Sequence, residues 1–540
     1  MASVTSLLRP LSTTAEAAHE RRWWTLGVLC LALSIIGIDN TILNVALPSI
    51  VRSVGAEGSE LQWIVDSYVI VFACLLLTTG SLGDRFGRKR MLMIGLALFG
   101  ACSALASLAD SATTLILARG LMGIGGAAIF PSTLSIITNT FAGRERAKAI
   151  GIWAGVSGLG IAIGPLAGGL LVEHFYWGSV FLVNVPICVA ALVLAWKLVP
   201  ESRDRTESRL DPLGALLSIG ALIGILYAII EVPTKGWGDT EVLAALAVGV
   251  ALLAAFLHWE RTTPHPMLDV RLFKNPRFSA ASAAITLTMF SLFGSTFLLT
   301  QYFQFVLGYS PLKAGMMTAP VAVGIMFAGV NAPKLAHRIG TKYAVMFGLG
   351  MITIALLCYA STFLMSSVLW GGLVRILFGL GMGTAMAPAT ESIMGSLPRD
   401  KAGVGSAVND TTRQAGGALG VAVLGSIFAA RYHALIEVPA GLPAAASNAV
   451  RDSIGKAVTV ATNPQVPAPL AAEIHRAASD AYIGGMQVAV VVAAGVVMFA
   501  GILAWKYLPA REAPPVDEIP PLDEVLSIST GSTDLATSRS

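Results

Sequence analysis

Apolar runs of about 18 residues or more, separated by short polar stretches, recur along most of the chain. Each is long enough to cross hydrocarbon about 30 Å thick as a helix rising about 1.5 Å per residue. Fourteen helices are predicted: 24–47, 62–82, 91–109, 112–137, 148–172, 177–199, 212–230, 241–258, 278–300, 312–332, 343–363, 367–390, 403–430 and 481–506. The first run is too long for a signal peptide and has no small-residue cleavage site, so it is expected to be retained as a membrane span.

Composition agrees with a lipid solvent. Of the 540 residues 55% are hydrophobic and only 13% are Asp, Glu, Lys or Arg, which is too little charge to coat several water-facing domains. Mean hydropathy is +0.72. The net charge of +4 forms no single basic patch, so nucleic-acid binding is not expected. Cys30, Cys74, Cys102, Cys188 and Cys358 all lie in apolar runs and are odd in number, which argues for small buried hydrophobes rather than a disulfide framework.

The basic residues report topology instead. With the amino terminus in the cytoplasm, about 26 of the 36 Lys and Arg fall on that side, including Arg85, Arg88, Lys89, Arg90, Arg144, Arg146, Lys148, Arg203, Arg205 and Arg209. Both termini are therefore expected inside. One long external loop, 431–480, is Ala- and Pro-rich with room for a short surface helix, and the acidic, Pro-rich tail beyond Pro509 is expected to be disordered.

Two segments repeat at an offset of about 256 residues. Arg119-Gly120-Leu121-Met122-Gly123-Ile124-Gly125 matches Arg375-Ile376-Leu377-Phe378-Gly379-Leu380-Gly381, and Asp84-Arg85-Phe86-Gly87-Arg88-Lys89 is echoed by His337-Arg338-Ile339-Gly340-Thr341-Lys342. A duplicated six-helix unit follows. The expected division is a cytoplasmic tail 1–22, a first bundle 23–199, a linker with two inserted helices 200–276, a second bundle 277–506 and a tail 507–540. A substrate site is expected near the midplane where the bundles meet.

Charge inside a span costs a few kcal/mol, about 2.5 or more, so each such residue is a functional candidate. Asp39 in the first helix and Arg119 in the fourth reach similar depths with opposite charge, and Asp39 sits in a polar run, Asp39-Asn40-Thr41, with no reason to face lipid. They pair either as a structural ion pair or around a titratable carboxylate. Arg375 repeats the Arg119 position without an evident carboxylate partner. Asp66, near the outer end of the second helix, is expected to be partly hydrated. Asp410 has Arg413 one turn later, as a local pair or as a port for protons or cations. Glu231 and Glu391, at helix ends, are expected to face water. Trp63, Tyr68, Phe130, Tyr302 and Phe303 are open between cavity lining and interfacial anchoring.

Two glycine patterns complete the reading. Gly80-Ser81-Leu82-Gly83-Asp84-Arg85-Phe86-Gly87-Arg88-Lys89-Arg90 joins two helices by a tight turn. There Asp84, among glycines and arginines, would suit a latch that breaks and re-forms. On the fifth helix Gly160, Gly164, Pro165, Gly168 and Gly169 allow close backbone approach and a bend.

At these residues the chain resembles the fourteen-helix drug:proton antiporters of the major facilitator superfamily, over about Trp23 to Tyr507. Ile38-Asp39-Asn40-Thr41-Ile42-Leu43-Asn44-Val45-Ala46-Leu47-Pro48 resembles the group's first-helix motif, and Gly80 to Arg90 the superfamily loop motif. Leu115 to Gly125 resembles the motif whose Arg is associated with proton transfer, and Gly160 to Gly169 the antiporter motif. The second repeat departs from the loop pattern at His337.

The resemblance implies an all-α polytopic protein of the cell membrane, with two pseudo-symmetric six-helix bundles and two added helices. It also implies alternating access, lipophilic or cationic small molecules as substrates exported against inward protons, no cofactor, metal or ATP site, no catalytic residues and a monomer. Uptake by proton symport shares the fold and the carboxylates, and a non-transporting scaffold or receptor would need no charge inside the bundles. No cluster of nucleophiles or metal ligands suggests an enzyme.

Overall fold

Backbone in hydrocarbon finds no water to bond and must satisfy its N–H and C=O groups internally, so each apolar run closes into a helix. The fold is given by a computed structural model, which describes residues 22–510 except 57, 142, 203–210, 265, 267, 269, 362–366 and 397–401; at some helical positions, Asp84 among them, it describes the backbone alone. The expected tail disorder lies outside the described residues.

The first six long helices are α1 Arg22–Val54, α2 Gly58–Phe86, α3 Arg88–Ser107, α4 Ala112–Thr140, α5 Gly143–His174 and α6 Ser179–Leu198, the last interrupted at Val183. Next come α7 Pro212–Lys235 and α8 Thr240–Thr262. The remaining six are α9 Pro276–Gln301, α10 Pro311–Ile339, α11 Thr341–Tyr359, α12 Val368–Gly395, α13 Ala402–Leu435 and α14 Ala468–Tyr507. A π-helical turn, Tyr302–Val306, prolongs α9. Among the described residues thirteen helices are long and apolar enough to cross a membrane; α5, at 32 residues, is the long helix outside that set.

The segment 431–480 holds more helix than its composition suggested. Helix α13 runs on to Leu435, short helices form at Ala444–Asp452 and Ile454–Ala461, and α14 starts at Ala468. The alanine-rich start of α14 is helical because it can bury Ile474, Ala478 and Ser479 against the bundle.

Packing between helices carries the repeat into three dimensions. In the first six, α1 packs on α4, α5 and α6, α2 on α4, and α3 on α4 and α6. In the last six, α9 packs on α12, α13 and α14, α10 on α12, and α11 on α12 and α14. Every pair in one set has its counterpart eight helices later. The halves meet along α2 with α13 and along α5 with α10, which are equivalent seams under the same relation. Helices α7 and α8 break that symmetry: α7 packs on both α2 and α13, covering one seam, and α8 packs on α7.

Contacts between the halves gather at the end opposite the described chain termini. There Gln304 Nε2 donates to the Val45 carbonyl at 2.8 Å and the Leu312 amide donates to Glu173 at 3.1 Å. Gly425 of α13 lies against Gln62 of α2, and Gly455 of the second short helix touches Val51 and Phe305. This loop end is closed.

Candidate functional site

Asp39 and Arg119 meet as the sequence depths suggested. Arg119 Nη1 stands 2.5 Å from Asp39 Oδ2, with both side chains almost wholly inaccessible. The second Asp39 oxygen accepts from Asn184 Nδ2 at 3.2 Å, and Arg119 Nε donates to the Ile64 carbonyl at 3.2 Å. Tyr68 lies flat against the guanidinium at 4.3 Å and Phe181 stands at 6.0 Å. Four helices, α1, α2, α4 and α6, thus converge on one carboxylate. Such a pair holds only when its remaining donors and acceptors are met, because removing water from both charges costs several kcal/mol, about 3–5 when one partner is lost.

Asn184 was not singled out from sequence. Its only signal is a lone amide in the apolar run Val180-Phe181-Leu182-Val183-Asn184-Val185. If the transport that the resemblance implies runs through this pair, Asn184→Ala should slow it about tenfold or more with substrate KM unchanged, since a hydrogen bond to a charged group contributes about 1.5–3 kcal/mol. Unaltered transport in vesicles would remove Asn184 from the site.

A cavity of about 1190 Å³, counting the part open to solvent, lies between the halves. Asn40, Thr41 and Asn44 of α1, Ser295 and Thr296 of α9, Tyr359, Arg375 and Phe378 line it, with Asp410, Arg413 and Gln414 of α13. Asp39 and Arg119 are not on its wall. They sit one helix face behind, so the polar run Asp39-Asn40-Thr41 divides between a sealed ion pair and a cavity surface.

Helix α5 fixes this arrangement. Gly160, Gly164 and Gly168 all face α1, where an added Cβ would meet Gly37, Thr41 and Ile42 respectively, on either side of Asp39. Thr41 Oγ1 lies 3.4 Å from the Gly160 carbonyl. Pro165 and Gly169 turn the other way, onto Gly315 and Leu312 of α10. One helix therefore touches the helix that carries Asp39 in the first half and the second half together.

Other candidates are dispersed. Asp66 is fully buried rather than partly hydrated, and neither carboxylate oxygen has a hydrogen-bond partner among the described residues. It does not line the cavity. Asp410 does, but Arg413 closes no ion pair with it; its Oδ1 accepts from Asn409 Nδ2 at 3.4 Å. Of the two readings of Asp410 and Arg413, the local i, i+3 pair is not formed here, and both residues line the cavity. Of the aromatics, Phe130 lines the cavity, Tyr68 and Phe303 lie against Arg119 and Arg375, and Tyr302 is buried. Half-buried Trp63 lies tilted beside Tyr227, with ring centroids 6.2 Å apart.

The loop after α2 docks on the segment that follows α6. Gly87 has φ 115°, a conformation that side chains rarely adopt, and a Cβ there would also strike Glu201 at 2.6 Å. Arg88 N donates to the Ser202 carbonyl at 2.9 Å, and Arg90 stands 3.7 Å from Glu201. Gly80 approaches Pro131, and Arg85 lies 5.4 Å from the Phe86 ring. The Asp84 side chain, centre of the expected latch, lies outside the described residues. Gly340, after α10, repeats the positive φ at 95°.

Comparison with known proteins agrees with this architecture. The family model of the Major Facilitator Superfamily matches residues 29–421. The multidrug efflux pump LfrA of Mycolicibacterium smegmatis is 40% identical over 478 residues, 88% of this chain and 94% of that one. The methyl viologen resistance protein SmvA of Salmonella typhimurium is 36% identical over 474 residues, 87% and 95% of the two chains. The tetracenomycin C resistance and export protein of Streptomyces glaucescens is 32% identical over 493 residues, 90% and 91%. Among solved structures, an inward-facing bacterial homologue of the human lysosomal transporter Spinster superposes with a TM-score of 0.62 at 17% identity, covering 92% of this chain and 99% of that one. With two pseudo-symmetric six-helix halves around a central cavity and this match over most of its length, the chain belongs to the Major Facilitator Superfamily.

Proposed function

We propose that this chain is a proton-coupled antiporter of the cell membrane that exports lipophilic or cationic small molecules by alternating access. The observation that carries the reading is a titratable carboxylate, Asp39, sealed against Arg119 directly behind the cavity wall. Relatives named as multidrug efflux and drug-resistance proteins support export as its direction. The family consists of transporters rather than enzymes, and the coupling needs no cofactor.

In this reading 23–199 and 277–506 move against each other as bundles, with 200–276 supplying the inserted pair. The chain termini face the cytoplasm, so the closed loop end is external and the cavity serves the cytoplasm. Substrate loads in this state. When the bundles rock outward, a proton reaches Asp39, loosens its hold on Arg119 and favours release; return to the inward state lets the proton leave. Exchange is obligatory only if proton and substrate compete for the same states. Asp66 and Asp410 serve as secondary proton or cation sites, and the loop of Gly80, Asp84, Arg85, Gly87 and Arg88 steadies the cytoplasmic side. The protein works as a monomer.

The test is a substrate panel in an efflux-deficient host expressing the chain. Resistance to several lipophilic cations should rise, and the rise should collapse with a protonophore. Accumulation driven inward by the same gradient would mark uptake instead.

A further inference from the structure

The second half keeps the arginine of the first without its carboxylate. At the offset that relates Arg119 to Arg375, Asp39 falls on Ser295. The Ser295 hydroxyl is occupied with the Ser291 carbonyl at 2.5 Å. Arg375 is 1% exposed, its Nη2 faces Met317 Sδ at 3.7 Å, and Nε and Nη1 have no hydrogen-bond partner among the described residues. A guanidinium in that condition is costly unless something answers it.

Its position says where the answer comes from. Whereas Arg119 is walled off, Arg375 lines the central cavity, together with Ser295 and the rings of Tyr359 and Phe378. Phe303 lies 5.0 Å from its guanidinium. Arg375 stands seven residues from the loop end of α12, at the closed end of the cavity, while Asp410 and Arg413 stand toward the opposite end on α13. The closed end therefore offers a planar, permanently charged fork among aromatic faces, suited to a flat acceptor group. Asp410 is the lone carboxylate among the described lining residues, against two arginines.

We propose that Arg375 anchors an anionic or strongly accepting group, a carboxylate, sulfonate or phenolate, on an aromatic amphiphile carried by this cavity. The substrate supplies the counter-charge that Asp39 supplies to Arg119. This inference rests on the transport reading above and extends its substrate class beyond cations, to anions and zwitterions whose acidic end enters first.

The experiment uses the full chain in zwitterionic nanodiscs and two probes on one xanthene frame: fluorescein, an anion, and rhodamine 6G, a cation. Binding is read by fluorescence anisotropy against empty nanodiscs. Fluorescein should bind the wild-type chain, and Arg375→Met should weaken it about tenfold or more, with Arg375→Lys between, while rhodamine 6G binds as before or tighter. Retained rhodamine binding shows that the variant is folded. No fluorescein binding to wild type, equal binding to Arg375→Met, or parallel loss of both probes would overturn the proposal. The transport reading is tested separately by proton-driven rhodamine 6G movement in wild-type vesicles; its absence beside Arg375-dependent fluorescein binding would overturn that reading and leave the anchor standing.

Discussion

Asp39→Asn should abolish proton-driven efflux from inside-out vesicles, lowering the rate about 100-fold or more. The change keeps the shape of the side chain and removes its charge. Arg119, 1% exposed, then keeps at most the amide oxygen of Asn and the Ile64 carbonyl as acceptors, beside Tyr68 and Phe181, and has no counter-charge. Breaking a buried pair in this way costs about 3–5 kcal/mol, and each 1.4 kcal/mol is tenfold in an equilibrium. Part of that cost will appear as a lower Tm. On the proposed coupling the proton cycle suffers more, because a carboxamide cannot take up and release a proton as the carboxylate does. Substrate binding should weaken far less than transport does, since Asp39 does not line the cavity and its neutralisation reaches the substrate only through the proposed coupling. Loss of binding in proportion to transport would identify misfolding, and wild-type efflux rates would sink the assignment of Asp39 as the coupling group.

How much of this site was legible in the sequence depended on whether local spacing determined the contact. Asp39 and Arg119 could be paired from depth alone, because opposite charges at one level of hydrocarbon have few other partners. Asn184 could not, since one amide in an apolar run gives no direction. Helical spacing placed Arg413 on the same face as Asp410, yet the two line one cavity without closing an ion pair. Asp66 was misjudged because its distance from the helix end said nothing about α13, which covers its neighbour Gln62. The repeat found Arg375, but only the packed cavity distinguishes a sealed arginine from one that faces a ligand. Glycine spacing on α5 announced close approach without naming the neighbours.

Those neighbours make Gly169→Ala the more telling glycine substitution. An added Cβ would stand 2.5 Å from Leu312 Cα and 2.7 Å from the Pro311 carbonyl, both backbone atoms at the start of α10. Nothing there can rotate aside; α5 and α10 must part. Overpacking of this kind costs about 1–3 kcal/mol. Under the proposed alternating access it falls on the state in which the loop end is closed, because the two halves would separate there in the other state. The equilibrium between them should therefore move about 5- to 150-fold toward opening at the loop end. Spin labels at exposed Ser53 on α1 and Lys313 on α10, in an otherwise cysteine-free chain, should report a longer, broader distance distribution. Gly329→Ala, also on α10 but with nothing within 4 Å, should leave that distribution unchanged. If Gly169→Ala does so too, the contact of α5 with α10 is not what holds the loop end shut. If it moves the distances and slows efflux while rhodamine 6G still binds, the same helix that packs beside Asp39 also sets which side of the cavity is open.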